Sequence, residues 1–193
     1  MSSKNMTAKN LRLISKGRYL KSYELDYESE DGHKKSYEFV SHKELKSVDD
    51  IGKRVSGVSM CVLKDGKLLL LREFRMAVNR FVYGLCAGMW EENETIEQCM
   101  ERELYEETGL KLKKIIKILP PGFAAVSMSD IKNRIAIVTA EGEVEDHSTE
   151  NENISAGFYT KEEVKELIEN EEFSSRAQVL AYFYTEGALD KYL

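Results

Sequence analysis

Gly88–Leu110 reads GMWEENETIEQCMERELYEETGL, and the reading of the 193-residue chain starts there. Thr95 can cap a helix, with Gln98 three residues on as the reciprocal partner of a capping box. Gly109 is a natural stop, because it has no β-carbon to oppose the left-handed backbone that ends many helices. At about 100° per residue, Ile96, Cys99, Met100 and Leu104 fall on one stripe. Glu103 and Glu107 project from that stripe and Glu106 lies at its edge, while Glu101 and Tyr105 take the far side. Carboxylates are therefore expected where the helix faces protein. They cannot stay charged together there unless cations neutralise them; otherwise their pKa values rise. Ligands that are all oxygen suit a hard divalent ion, Mg²⁺ or alternatively Mn²⁺. A solvated acidic helix is the competing reading, and the angular argument alone leaves both open.

The segment resembles the Nudix box. In that motif a Gly, here Gly88, precedes Glu94, then Arg102-Glu103-Leu104, then Glu106-Glu107, and Gly109-Leu110 closes it. Every defined position is filled. The resemblance implies metal-dependent hydrolysis of a nucleoside diphosphate linked to another moiety.

Composition is compatible with such an enzyme. The length and the 42% hydrophobic content allow one well-packed domain with a small appendage. No apolar run approaches the roughly 20 residues that a membrane span needs, and the N-terminal MSSKNMTAKNLRLISKG lacks the apolar centre of a secretory signal. Cys61, Cys86 and Cys99 lie in apolar sequence without metal-ligand spacing, so free buried thiols and a cytoplasmic location are expected. His33, His42 and His147 are too scattered for a zinc site. A net charge of −6 argues against a general nucleic-acid binder. It leaves room for a small anionic substrate, because local cations can reverse the field at a site.

Along the chain, residues 18–29 and 34–41 read as a hairpin about Asp31-Gly32. A hairpin this polar is marginal alone and needs a packing partner, such as a second subunit. Strands are expected at 56–63, 67–75, 80–86, 112–119, 134–139 and 154–159, and helices at 161–168 and 174–184 with Thr160 as a cap. Residues 141–153 read as an acidic loop. The division expected is a β region at 1–50 and a hydrolase domain at 51–193. The resemblance implies an α/β (α+β) fold: the Nudix α/β/α sandwich with a mixed sheet, plus a small N-terminal antiparallel sheet. Spacing alone also supports other α+β arrangements.

Outside the box, the N-terminal GRYLKSYELDY…DGHKKSYEFV, the strand LLLLREFRM, the later ENENI and the C-terminal FYTKEEVKELIENEEFSSRAQVLAYFY resemble the ADP-ribose pyrophosphatase-like branch. The branch implies a homodimer through the N-terminal β region. Two departures bear on the substrate. Gly84-Leu85-Cys86-Ala87-Gly88 stands where many members have Glu-Leu-Pro-Ala-Gly, and PPGFAAVSMSD stands where many have Ser-Pro-Gly followed by a Glu-containing turn.

The resemblance implies that Glu103 and Glu107 bind Mg²⁺, that Glu106 shares the cluster, and that the Ala87 carbonyl and Glu152 add ligands. Glu150 is the expected general base, with Glu106 in reserve. Arg102 either pairs with Glu106 at i,i+4 or orients Glu103, and Glu94 fixes the loop at the helix start. Arg54 and Arg75 are the expected phosphate ligands, because guanidinium matches phosphate oxygens in bidentate fashion. Arg72 and Arg80 are competitors; Arg72 and Arg75 face opposite sides of their strand. Tyr19 and Tyr37 are expected to sandwich an adenine, at least one of them from a partner subunit; cross-strand packing is the alternative. The expected reaction is ADP-ribose to AMP and ribose 5-phosphate. Another nucleotide sugar (a GDP- or ADP-hexose) is the alternative, and a non-catalytic nucleotide-binding module a more distant one.

Overall fold

The computed structural model describes residues 5–145 and 153–192. Among them are eleven strands and three α-helices, divided between two compact units: Met1–Ser56 with Pro121–Asn133, and Gly57–Pro120 with Arg134–Leu193. The α+β architecture with an N-terminal antiparallel sheet is the one the resemblance implies.

In the first unit, β1 (Met6–Lys16), β2 (Lys21–Ser29) and β3 (Lys34–Ser41) form an antiparallel sheet in the order β1-β2-β3. The β2–β3 hairpin turns through Gly32, whose φ of 84° lies in the left-handed region that glycine tolerates. β1 is an addition to the expected hairpin. Its residues are mostly exposed and give no apolar signal, and Arg12 on it pairs with both Glu24 and Asp26 of β2. Tyr23, Leu25 and Phe39 make the small core, with the Tyr23 and Phe39 rings stacked at 5.6 Å. Pro121–Asn133, which includes the short β9 (Gly122–Phe123), clusters with this sheet rather than with its sequence neighbours. The Tyr37 hydroxyl donates to the Ser127 carbonyl at 2.6 Å, and the Gly52 N–H donates to Asp130 at 3.2 Å.

The second unit is built on β4 (Val55–Lys64), β5 (Lys67–Arg75), β6 (Arg80–Gly84), β7 (Cys86–Met89), β8 (Lys111–Ile118), β10 (Lys132–Glu141) and β11 (Ile154–Tyr159). The main path runs β11-β5-β4-β10-β8, with β6 on β5 and β7 on β4. The apolar runs of β4 and β5 lack a polar face because the sheet is covered on both sides. Val58, Met60, Val62, Leu69 and Leu71 point to one core, shared with Cys99, Met100 and Leu104 of α1 (Ile96–Thr108). Cys61, Leu63, Leu68 and Leu70 point to the other. They meet Val164 of α2 (Lys161–Asn170) and Ala177, Ala181 and Tyr184 of α3 (Ser175–Thr185) there. Each fully buried leucine contributes roughly 1.5–3 kcal/mol, so Leu68–Leu71 alone tie both helical layers to the sheet. The strand expected over 80–86 is interrupted at Leu85, and its continuation β7 pairs with β4 up to Met89. This delivers the chain to the short loop that precedes α1.

Candidate active site

The helix begins as its residues dictate. The Thr95 side chain accepts from the Gln98 N–H and the Gln98 side chain accepts from the Thr95 N–H, while Gly109 (φ 73°) ends the helix with its N–H bonded to the Tyr105 carbonyl. The loop before it is held from within. The Trp90 indole donates to the Glu94 carbonyl at 2.8 Å, and the Glu91 N–H donates to the Glu94 carboxylate at 2.8 Å.

Arg102 gathers the acidic groups. It donates to both oxygens of Glu94 (2.8 and 3.2 Å), to Glu103 at 2.8 Å, to Glu106 at 3.2 Å and to the Met89 carbonyl at 3.0 Å. The contacts with Glu106 and Glu103 occur together, and the pairing with Glu94 adds a third. The guanidinium holds the Glu94 carboxyl down at about 2.

Glu103 lies against Gly88: a β-carbon built on Gly88 would fall within the Glu103 carboxylate. Gly57, on the neighbouring strand β4 and in register with Met89, likewise leaves no room for a side chain, since its β-carbon would strike the Gly88 carbonyl. Burial raises the Glu103 carboxyl, and its bond to Arg102 opposes the rise. Glu107 accepts from the Ala87 N–H at 3.1 Å. Burial pushes its carboxyl up to about 7; the nearby charges of Glu103 and Glu73 add to the rise, whereas the Cys86 thiol and the Ala87 N–H oppose it. Glu106 is more exposed, at 58% of its side chain.

These donors fit a hard divalent cation. They are all oxygen, and among the described residues no arginine balances the buried Glu107 carboxyl in the way Arg102 balances Glu94. Among the described residues, no three His, Cys, Asp or Glu side chains converge closely enough to hold an ion as they stand. Glu103 and Glu106 face Arg102 and Glu107 faces Ala87, so ligation requires these carboxylates to turn toward a common point. Glu150 and Glu152 lie outside the described residues.

A NUDIX domain matches residues 53–183. The chain belongs to the NUDIX family. This Nudix hydrolase is 26% identical over 183 residues to an ADP-ribose pyrophosphatase of Bacillus subtilis (strain 168), covering 91% of each chain. An ADP-ribose pyrophosphatase of Escherichia coli (strain K12) is 27% identical over 124 residues, which span 60% of this chain and 59% of that one. A solved structure described as an ADP compounds hydrolase superposes over 100% of this chain and 98% of its own, with a TM-score of 0.76 at 20% identity, and so shares its fold. The expected likeness to the ADP-ribose pyrophosphatase-like branch is borne out.

The other expected residues of this Nudix chain are distributed over the two units. Arg75 is on β5 of the second unit, where its Nη2 lies 2.6 Å from Glu73. Arg72 instead places its guanidinium 4.0 Å from the Phe81 ring centroid, and Arg80 pairs with Glu172 at 2.6 Å. In the first unit, Arg54 lines a cleft of about 350 Å³ of mixed charge, with Lys43, Lys46 and Lys53 beside Glu44, Asp50 and Asp130. Tyr37 lines a separate, aromatic cleft of about 270 Å³ with Tyr27, Phe39 and Phe123. Tyr19 lines neither; it sits between β1 and β2 beneath the Arg18 guanidinium, 66% exposed. Gly57 and Glu73 were not among the expected site residues. Strand alternation was the one available signal for Glu73, because it shares the parity of Leu69, Leu71 and Arg75.

Proposed function

We propose that this Nudix hydrolase cleaves the diphosphate of ADP-ribose, with Mg²⁺ or Mn²⁺, to give AMP and ribose 5-phosphate. The observation that carries the reading is the Glu103–Glu107 pair on the buried side of α1, one carboxylate seated against Gly88 and the other raised to about 7 by burial. Such a pair is costly to maintain without a cation, and a cation there is what a diphosphate substrate requires.

Glu103, Glu106 and Glu107, the Ala87 carbonyl and Glu152 would hold the metal. When bound, it would neutralise the diphosphate charge that repels an attacking water. Glu150 would take the water's proton, with Glu106 in reserve. Arg75 and Arg54 would orient the phosphates, and Tyr37 would stack on adenine with Tyr19 supplied by a second copy. The aromatic lining around Tyr37 supports base stacking. Exposed Met6, Leu13, Ile14 and Leu20 near the sheet edge support a homodimer. The three free, buried cysteines agree with a reducing cytoplasm, and no helix among the described residues is long and apolar enough to cross a membrane.

A second reading keeps the mechanism and changes the substrate to another nucleotide sugar, a GDP- or ADP-hexose. The Gly84-Leu85-Cys86 approach to the box favours it, departing from the form common in the branch. Phosphate-monoester release from ADP-ribose, ADP-glucose, GDP-mannose, NADH and diadenosine polyphosphates separates the readings. Preference for ADP-ribose with AMP as product supports the first, and preference for a hexose nucleotide supports the second. No turnover with either metal overturns both and favours a binding module.

A further inference from the structure

β5 changes character along its length without losing its alternation. Leu69 and Leu71 face α1, and Leu68 and Leu70 face α2 and α3. Two residues on, Glu73 continues the α1 face and Arg75 follows it, while Arg72 takes the opposite face against Phe81. Glu73 lies between Val82 of β6 and Ile154 of β11, and its side chain is 21% exposed. Arg75 is paired across the sheet with Arg80, a like charge, and its side chain is 56% exposed. The Glu73 carboxylate meets the Arg75 Nη2 at 2.6 Å.

We infer that Glu73 is a positioning residue, which holds the Arg75 guanidinium on the α1 face of the sheet where a substrate diphosphate would meet it. The inference rests on the reading of Arg75 as a phosphate ligand. The two members of the pair differ in the way the role demands. Glu73 is largely buried between two paired strands and so is an anchor of fixed position. Arg75 is a long, exposed side chain that otherwise samples many rotamers, and restricting it beforehand lowers the ordering cost of binding. A guanidinium has five N–H donors, so one bonded to Glu73 through Nη2 still has donors to offer a phosphate.

The experiment compares the full-length chain with Glu73→Gln, Arg75→Ala and the double variant. Glu73→Gln preserves shape, and thermal melts establish that each variant folds. Two quantities are read: the Kd for ADP-ribose without divalent ions, and KM and kcat for ADP-ribose with Mg²⁺. Glu73→Gln is expected to raise Kd and KM by about twofold to fivefold, the range of a partly exposed ion pair, while kcat stays within about twofold of wild type. In the Arg75→Ala background the same change is expected to add nothing.

Arg75→Ala weakening binding while Glu73→Gln leaves it unchanged would overturn the inference and leave Arg75 as a ligand. Tighter binding by Glu73→Gln would also overturn it, making Glu73 a competitor of the phosphate. A full, additive effect in the double variant would show that Glu73 acts independently of Arg75. An unchanged Kd for Arg75→Ala overturns the reading of Arg75 and this inference with it.

Discussion

Gly88 and Glu103 occupy what would be one side chain's space: the Glu103 carboxylate sits where a β-carbon on residue 88 would be. The sheet and α1 meet at that point, and the glycine sets how deeply the carboxylate can sit. Gly88→Ala is therefore expected to displace Glu103 and lower kcat by roughly 100-fold, the order of loss expected from misplacing a catalytic group by about 1 Å. Steady-state kinetics on a variant with an unchanged circular dichroism spectrum tests this. Wild-type turnover would show that Glu103 does not work from this position.

Glu103→Gln and Glu107→Gln should each reduce turnover severely and leave the fold intact, because each removes an anionic oxygen ligand while keeping the side chain's shape. Calorimetric titration with Mg²⁺ or Mn²⁺ should show weakened binding in both. Two folded variants with normal activity would remove the metal site from α1.

The assignment of the base can be decided by a comparison of kcat. Glu150→Gln is expected to cost about 10²–10⁴-fold, the usual contribution of general base catalysis. A larger loss in Glu106→Gln than in Glu150→Gln would transfer the role to Glu106.

Tyr37→Ala should raise KM for substrates containing AMP, and Tyr37→Phe should largely preserve it, because stacking uses the ring and not the hydroxyl. The phenol has its own partner in the Ser127 carbonyl. An equal loss in both variants would assign Tyr37 to holding the 121–133 segment and not to the base.

Glu94 has a pH signature. Its folded pKa, held near 2 by Arg102, is below the ordinary carboxyl value of 4.5. Its contribution to stability is therefore complete above about pH 4.5 and is lost as the pH falls toward 2. The wild-type chain should lose stability across that window more steeply than Glu94→Gln does, as measured by denaturant unfolding at successive pH values. Parallel curves would mean that the Glu94–Arg102 pair contributes nothing to folding.

The parts of this molecule legible in its sequence are those governed by local chemistry. Thr95, Gln98 and Gly109 bound α1, and the unbroken apolar residues of β5 report burial on two faces. β1 was not legible, because its residues are exposed and its place depends on pairing with β2 and on ion pairs of Arg12. The attachment of Pro121–Asn133 to the N-terminal sheet depends on contacts such as Tyr37 to Ser127, 90 residues apart, which no window can contain. At the candidate site, spacing alone left the glutamates open between a metal site and a solvated face, and the resemblance singled them out. The clearance at Gly57 and the ion pair of Glu73 depend on what stands across the sheet, or beside them on the same face.

Arg102 is bonded at once to Glu94, Glu103, Glu106 and the Met89 carbonyl, so these positions share one guanidinium. Their substitutions should be epistatic: once Arg102 is lost, altering Glu94 or Glu106 should do little further harm, whereas in the intact chain each disturbs the others' partner. Sequence drift in this stretch is thereby constrained to move in concert, with the loop and the helix changing together.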